Sequence, residues 1–246
     1  MPDSLPAARP RRIKELVPSE VAATLERDPR LIVPVGTTEA HGPHLPFGCD
    51  SIIVERLAAD LSAEFGVLCA PTLEYGVGPT PDERFPGSAV LRRKTLHGTL
   101  NDLLDGWERA GVREFILITV QGYDPHLEAL ETVVTREARV RVVDAFAVRL
   151  TDLLSAQLEP LHGDEVDTSL LLHLCPQLVR MELAQDYTVP SGGGRWTRRA
   201  GRAPPRASAG SIGSPSQASA AKGALLYERI RSVIAERVFR APDPVE

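Results

Sequence analysis

The sequence predicts an α/β fold: three layers, with a mostly parallel sheet between helices. Short apolar runs bounded by turn residues alternate with segments whose apolar residues recur at helical spacing. The run FILITV (115–120) is the most β-like in the chain and reads as a central strand. A length of 246 residues with 43% apolar content suits one large domain with a sizeable core.

Taken in order, residues 1–15 are rich in Pro and Arg, lack the apolar stretch of a signal peptide, and are expected to be flexible. LIVPVG (31–36) reads as a buried first strand. Residues 50–66 carry Ile, Val and Leu at helical spacing, with Asp50 near the start. VLCAP (67–71) is a second strand, and a long loop over 72–87 leads to a short strand around 88–94. Residues 95–111 set Leu96, Leu100, Leu103, Leu104 and Trp107 on one helix, which Gly111 caps. After FILITV come a helix through 126–138 and a strand near 140–148. Residues 165–176 read as a helix stopped by Pro176. The Gly-, Pro-, Ser- and Arg-rich stretch 191–217 should be a long loop or flap. A closing helix over 216–239 then docks Leu225, Leu226, Ile230 and Ile234.

A net charge of −5 offers no overall attraction to nucleic acid or to an anionic membrane. No apolar run approaches the roughly 20 residues that span a bilayer, so a cytoplasmic protein is expected. Three scattered cysteines imply no disulfide framework. Cys69 and Cys175 lie in apolar stretches and read as core. Cys49 adjoins Asp50, where a small buried neighbour is a plainer reading than a metal ligand.

In open parallel sheets, sites form beyond the carboxyl ends of the strands. The segment after the first strand, GTTEAHGPHLPFGCD, places Glu39, His41, His44 and Asp50 within twelve residues. Carboxylate and imidazole are the natural ligands of Zn, Mn or Fe(II). Glu39 and His41, two apart in extended chain, point the same way. Asp50, at the mouth of the next helix, has two oxygens with which to bridge two metals. A polar loop whose histidines only cap or hydrogen-bond is the alternative, and spacing alone does not separate the two.

The stretch PVGTTEAHGPHLPFGCD resembles the signature block of the creatininase (creatinine amidohydrolase) family. The likeness continues, in the family's order, through Tyr75-Gly76 and Phe85-Pro86-Gly87-Ser88. It runs on through the block from His162 to Ser169, then Gly213-Ser214-Pro215 and the tail from Ala218 to Gly223. The resemblance implies an α/β/α fold assembled as a homo-oligomer, a hexamer in the family. It also implies a site for one or two divalent transition metals (Zn, Mn or Fe) that hydrolyses a C–N amide bond. In the family that amide is cyclic, a formamide or a peptide, so the substrate would be a small molecule or a peptide, with no nucleic acid and no membrane.

By the same resemblance, Glu39 and Asp50 hold one metal, and His41, Asp50 and Glu165 the other. His162 shuttles a proton at the reacting amide, with Glu165 counted among the catalytic residues. Tyr75, Asp124 and Trp196 are expected at the substrate.

The pattern breaks after the central strand. Relatives carry Asn-Gly-His there, with a ligand His; this chain reads Gln121-Gly122-Tyr123-Asp124-Pro125-His126. Tyr123 stands at the ligand position, and a phenol with pKa near about 10 must lose its proton before it can bind a metal. Tyr123, Asp124 and His126 remain as replacements, though loss of one metal position is the simpler outcome. Asp167 is one methylene shorter than the family's Glu, Ser214 replaces an Asp, and Asp82 stands where many relatives have His. The flap around Arg195, Arg198, Arg199, Arg202 and Arg206 reads as a solvated loop, or as a lid for an anionic substrate or a partner's acidic surface. Two functions follow. One is a metal-dependent amidohydrolase with an altered metal site. The other is a catalytically impaired binding or scaffold subunit in a hetero-assembly with a partner.

Overall fold

The computed structural model describes residues 9–79, 83–190, 197–200 and 203–240. Its core is one all-parallel sheet of β1 (Arg11–Arg12), β2 (Arg30–Pro34), β3 (Leu68–Cys69), β4 (Glu114–Thr119) and β5 (Arg139–Asp144), in the order β1-β3-β2-β4-β5. The helices are α1 (Pro18–Arg27), α2 (Cys49–Phe65), α3 (Arg93–Arg109), α4 (Asp124–Glu131), α5 (Glu165–Leu174) and α6 (Ala220–Ile234).

Alternate residues of each strand face opposite layers. Ile32, Cys69, Ile116 and Ile118 pack with α2, α5 and α6 residues such as Leu57, Leu170 and Leu226. Leu31, Val33, Leu68, Phe115 and Leu117 pack on the other face with Leu96, Leu100, Leu104 and Leu130 from α3 and α4. Both faces are covered, so the strands read as unbroken apolar runs and not as alternating ones. The result is the three-layer α/β/α architecture expected.

Several elements differ from the sequence reading. Residues 11–15 are not a loose terminus, since Arg11 and Arg12 pair with Leu68 and Cys69 as an edge strand. α1 was not expected; it buries only Thr24 fully, with Val21 and Leu25 half-buried against the core. The strand around 88–94 reduces to a single bridge between Thr38 and Ala89, and α3 begins at Arg93. α4 ends at Glu131, short of 138. The Thr132 hydroxyl bonds back to the Glu128 carbonyl, and Asn101 takes the N–H of Val134. The Glu108 carboxylate then takes those of Arg136, Glu137 and Ala138, so α3 supplies the partners a longer α4 would have used. In α6, Leu226, Ile230 and Ile234 dock as expected, but Leu225 is 60% exposed. No helix among the described residues is long and apolar enough to cross a membrane.

From β2 the chain moves to β3 on one side, and from β3 to β4 on the other. The order therefore reverses between β2 and β4. The loops leaving these two strands diverge there and open a crevice at the carboxyl edge.

Candidate metal centre

Glu39 and His41 come from the β2–α2 connection, Asp50 from the first turn of α2, and His162 and Asp167 from the approach to α5 and its first turn. All five line a cleft of about 750 Å³, its open mouth included. The carboxylates of Glu39, Asp50 and Asp167 are each at least nine-tenths buried.

Two histidines are oriented by backbone carbonyls. His41 Nδ1 lies 3.1 Å from the carbonyl of Glu39, which can only accept, so Nδ1 carries a proton. Nε2 is thereby aimed at Asp50, 3.2 Å from its Oδ1. The other Asp50 oxygen accepts from the Thr37 hydroxyl at 2.7 Å. His162 Nε2 donates to the Ala40 carbonyl at 2.8 Å, and its ring stacks on His41 with centroids 4.4 Å apart.

The charges follow from burial and proximity. Burial works against a charged His41, yet Asp50, Asp167 and Glu39 lift its pKa to about 10. Burial opposes ionisation of Asp50 too, but His41 and Thr37 hold it down at about 2. Burial and then the His41 charge depress His162 to about 3, so the ring is neutral with a lone pair on Nδ1. Burial first, then Asp164, raises Asp167 to about 7. Burial also raises Glu39 to about 7, against the pull of His41.

These residues fit a divalent cation. Ligand atoms of Glu39, His41 and His162 lie within 4.8 Å of one another, as do those of His41, Cys49 and Asp50. A His fixed through Nδ1–H to a backbone carbonyl, with Nε2 beside a carboxylate, is the usual support of a metal-ligating imidazole. The proton shared between His41 and Asp50 marks where positive charge is wanted.

Glu165 is not part of this cluster. It lies two positions before Asp167 on α5, about 200° away around the helix, and it is fully buried on the side facing α6. There it accepts from the N–H groups of Ser155 (2.8 Å) and Ala156 (3.2 Å) and pairs with Lys222 Nζ. The α5 carboxylate that lines the cleft with His41 and Asp50 is Asp167, to which the sequence reading gave no ligand role. Asp124 is exposed, pairs with Arg199 at 3.4 Å, and does not line the cleft. Nor does Tyr75, which is 52% exposed. Trp196 lies outside the described residues, as do Asp82, Arg195 and Arg202.

Of the three candidates for the missing imidazole, only Tyr123 lines the cleft. His126 turns inward, where Nδ1 accepts from the Val77 N–H at 3.1 Å and Nε2 lies 3.1 Å from the Thr119 hydroxyl. Burial drives its pKa down to about 4, so it is a neutral core histidine. Gly76 makes room for it, since a Cβ there would stand 2.7 Å from the His126 ring. Gln121 donates from Nε2 to Glu39 Oε1 at 2.5 Å and holds that carboxylate across the cleft. His44 is buried with Nε2 2.8 Å from the Thr168 hydroxyl and does not line the cleft.

A family model described as "Creatininase: Creatinine amidohydrolase" matches residues 14–238. The chain belongs to the creatininase family. Among similar sequences, a 3-dehydro-scyllo-inosose hydrolase of Thermotoga maritima is 27% identical over 70% of this chain, and the match spans 58% of that enzyme. A mycofactocin precursor peptide peptidase of Mycolicibacterium smegmatis is 29% identical over 86% of this chain and 85% of its own length. A mutant creatininase of solved structure, of the Zn-Zn type, superposes with a TM-score of 0.78. It covers 96% of this chain and 99% of its own at 24% identity.

Proposed function

We propose that this creatininase-family protein is a metal-dependent amidohydrolase with a reduced metal site, cleaving a C–N amide bond in a small molecule or peptide. The observation that carries the reading is the convergence of His41, Asp50 and Asp167 beside a neutral His162 in one cleft. The similar proteins are named as hydrolases and a peptidase, and one solved relative as a Zn-Zn type, which supports both the reaction class and a transition metal.

In this reading His41, Asp50 and Asp167 would hold one divalent ion, with Glu39 alongside. When bound, that ion supplies Lewis acidity, polarising the amide oxygen and making water a stronger acid. The chain's own residues do the rest. His162 keeps its Nε2 proton on the Ala40 carbonyl, so Nδ1 is the atom that accepts a proton from water and returns it to the leaving nitrogen. The His41 ring stacked against it fixes the plane in which that lone pair points. Thr37 and the Glu39 carbonyl hold Asp50 and His41 in place before substrate arrives. Apolar walls from Val90, Val120, Phe146 and Leu161 limit water around the reacting amide.

The second metal position of the family is read as lost, because a phenol replaces its imidazole and Gln121 occupies Glu39. The same observation favours the alternative of an impaired binding subunit. Elemental analysis of protein purified without chelators, beside Asp50→Ala, decides between them. About one zinc, manganese or iron per chain, lost in the variant, is the expected result. No uptake by the unaltered chain after incubation with all three ions would sink the hydrolase reading.

A further inference from the structure

Arg198 belongs to the arginine-rich stretch, yet its side chain is only 14% exposed. The guanidinium sits over the Phe146 ring, 4.8 Å from its centroid, and donates to the Val120 carbonyl. Gly122 lets it lie on the backbone after β4, because a Cβ there would stand 2.9 Å from Arg198 Cζ. The ends of β4 and β5 thus build a seat for this one side chain. Its neighbour Arg199 stays 66% exposed.

That seat opens into the cleft. Arg198 is the one Lys or Arg among the described residues that line it, beside Glu39, Asp50 and Asp167. Asp144 forms an ion pair with Arg198 at 3.8 Å, too long for a hydrogen bond, while its Oδ1 accepts from the Phe146 N–H at 3.0 Å. The pair offsets part of the guanidinium charge but takes none of its N–H groups, which, beyond the one given to Val120, stay available to the cleft. An anion entering among three carboxylates is repelled unless a permanent cation receives it, and a planar guanidinium receives a carboxylate in two parallel hydrogen bonds. A single guanidinium, already shared with Asp144, suits a carboxylate monoanion better than a phosphate dianion.

We propose that Arg198 is the substrate-anchoring residue of this cleft and that the amide cleaved there carries a carboxylate. This rests on the hydrolytic reading of the cleft, with the amide lying between Arg198 and His162. Hydrolysis adds water across the C–N bond, the hydroxyl going to the acyl carbon and the proton to nitrogen, while the carboxylate on Arg198 is unchanged.

Binding, not turnover, tests it. The full chain, zinc-loaded and separately metal-free, is titrated by calorimetry with N-formyl- and N-acetyl-amino acids and with their uncharged C-terminal amides. The acids are expected to bind about tenfold or more tighter than the amides. Arg198→Met should abolish that preference and Arg199→Met leave it. Arg198→Lys, which keeps charge without the planar fork, should fall between. Gly122→Ala displaces the guanidinium without removing it and should weaken the preference, thermal melts confirming that each variant folds. Equal binding of acids and amides, binding of neither, or a preference that survives Arg198→Met would overturn the proposal. Hydrolysis of neutral amides, or metal bound with no charge preference, would leave the hydrolase reading standing. Charge preference without metal uptake would leave Arg198 as an anchor in a binding subunit.

Discussion

Glu165→Gln separates a carboxylate that supports the fold from one that serves the cleft. Glu165 has no exposure, accepts two backbone N–H groups and pairs with Lys222. Glutamine keeps one carbonyl oxygen for Ser155 and Lys222 but turns an NH2 toward the N–H of Ala156. Losing a charged acceptor costs about 1.5–3 kcal/mol, and a buried donor left unmatched costs about 1–3 kcal/mol more. Lys222 is 15% exposed and recovers part of this by hydrating its ammonium. The net is about 3 kcal/mol, and at roughly 2–4 °C per kcal/mol for a chain of this length Tm should fall by roughly 6–12 °C. Metal content should not change. Asp167→Asn is expected to behave oppositely. Its carboxylate accepts the Gly163 N–H at 2.8 Å, a bond an amide oxygen retains, so the metal-free Tm moves little while bound metal is lost. Calorimetric melting of chelated protein, with elemental analysis of untreated protein, reads both quantities. A Glu165→Gln chain that melts like the parent but has lost its metal would refute the reasoning and return Glu165 to the cleft.

His162→Gln is expected to lower kcat by about 10²- to 10⁴-fold on whichever amide the metal-loaded enzyme cleaves, with metal content kept. Loss of metal in that variant would instead make His162 a ligand. His126 predicts a pH effect: its pKa falls from the ordinary 6.5 to about 4 on folding, so below pH 6.5 the unfolded chain takes up a proton that the folded one refuses. Stability contributed at neutral pH is lost as pH drops from 6.5 to 4, by roughly 3 kcal/mol at 1.36 kcal/mol per pKa unit. Denaturant melts should show that loss reduced in His126→Asn, and an equal loss in both chains would disprove it. Tyr123→His should raise zinc or manganese from about one to about two per chain, since it restores an imidazole opposite Glu39. Unchanged content would mean that the Gln121 bond to Glu39 closes that position.

The sheet was legible where strands are covered on both faces. β2 and β4 bury every side chain from Leu31 to Pro34 and from Glu114 to Thr119, and such strands print as apolar runs. β1 was not legible, because Arg11 and Arg12 join the edge through backbone pairing that side-chain pattern does not record. α4 was overextended because its end is set by Asn101 and Glu108, roughly thirty residues away in sequence. Local periodicity carries no information on a cap supplied by another helix.

At the site, the same limit separates ligand type from ligand identity. Glu39, His41, Asp50 and His162 could be placed at the cleft they line because two distinctive blocks leave few alternatives. Glu165 and Asp167 stand on one helical turn and face nearly opposite ways, and only the docking of α6 decides which one meets Lys222 and which one meets His41. The loop after β4 follows the same logic. Tyr123 is the N-cap of α4, so the helix axis carries Asp124 outward to Arg199 and His126 inward to Thr119, leaving the phenol alone at the cleft. Arg198 was hardest to see. Its role depends on Phe146, Val120 and Gly122, residues that carry no charge and give an arginine-rich stretch no reason to differ from a solvated loop. Where a cation's use is set by an aromatic ring and a missing Cβ just beyond the ends of other strands, composition points toward solvent and packing points into the cleft.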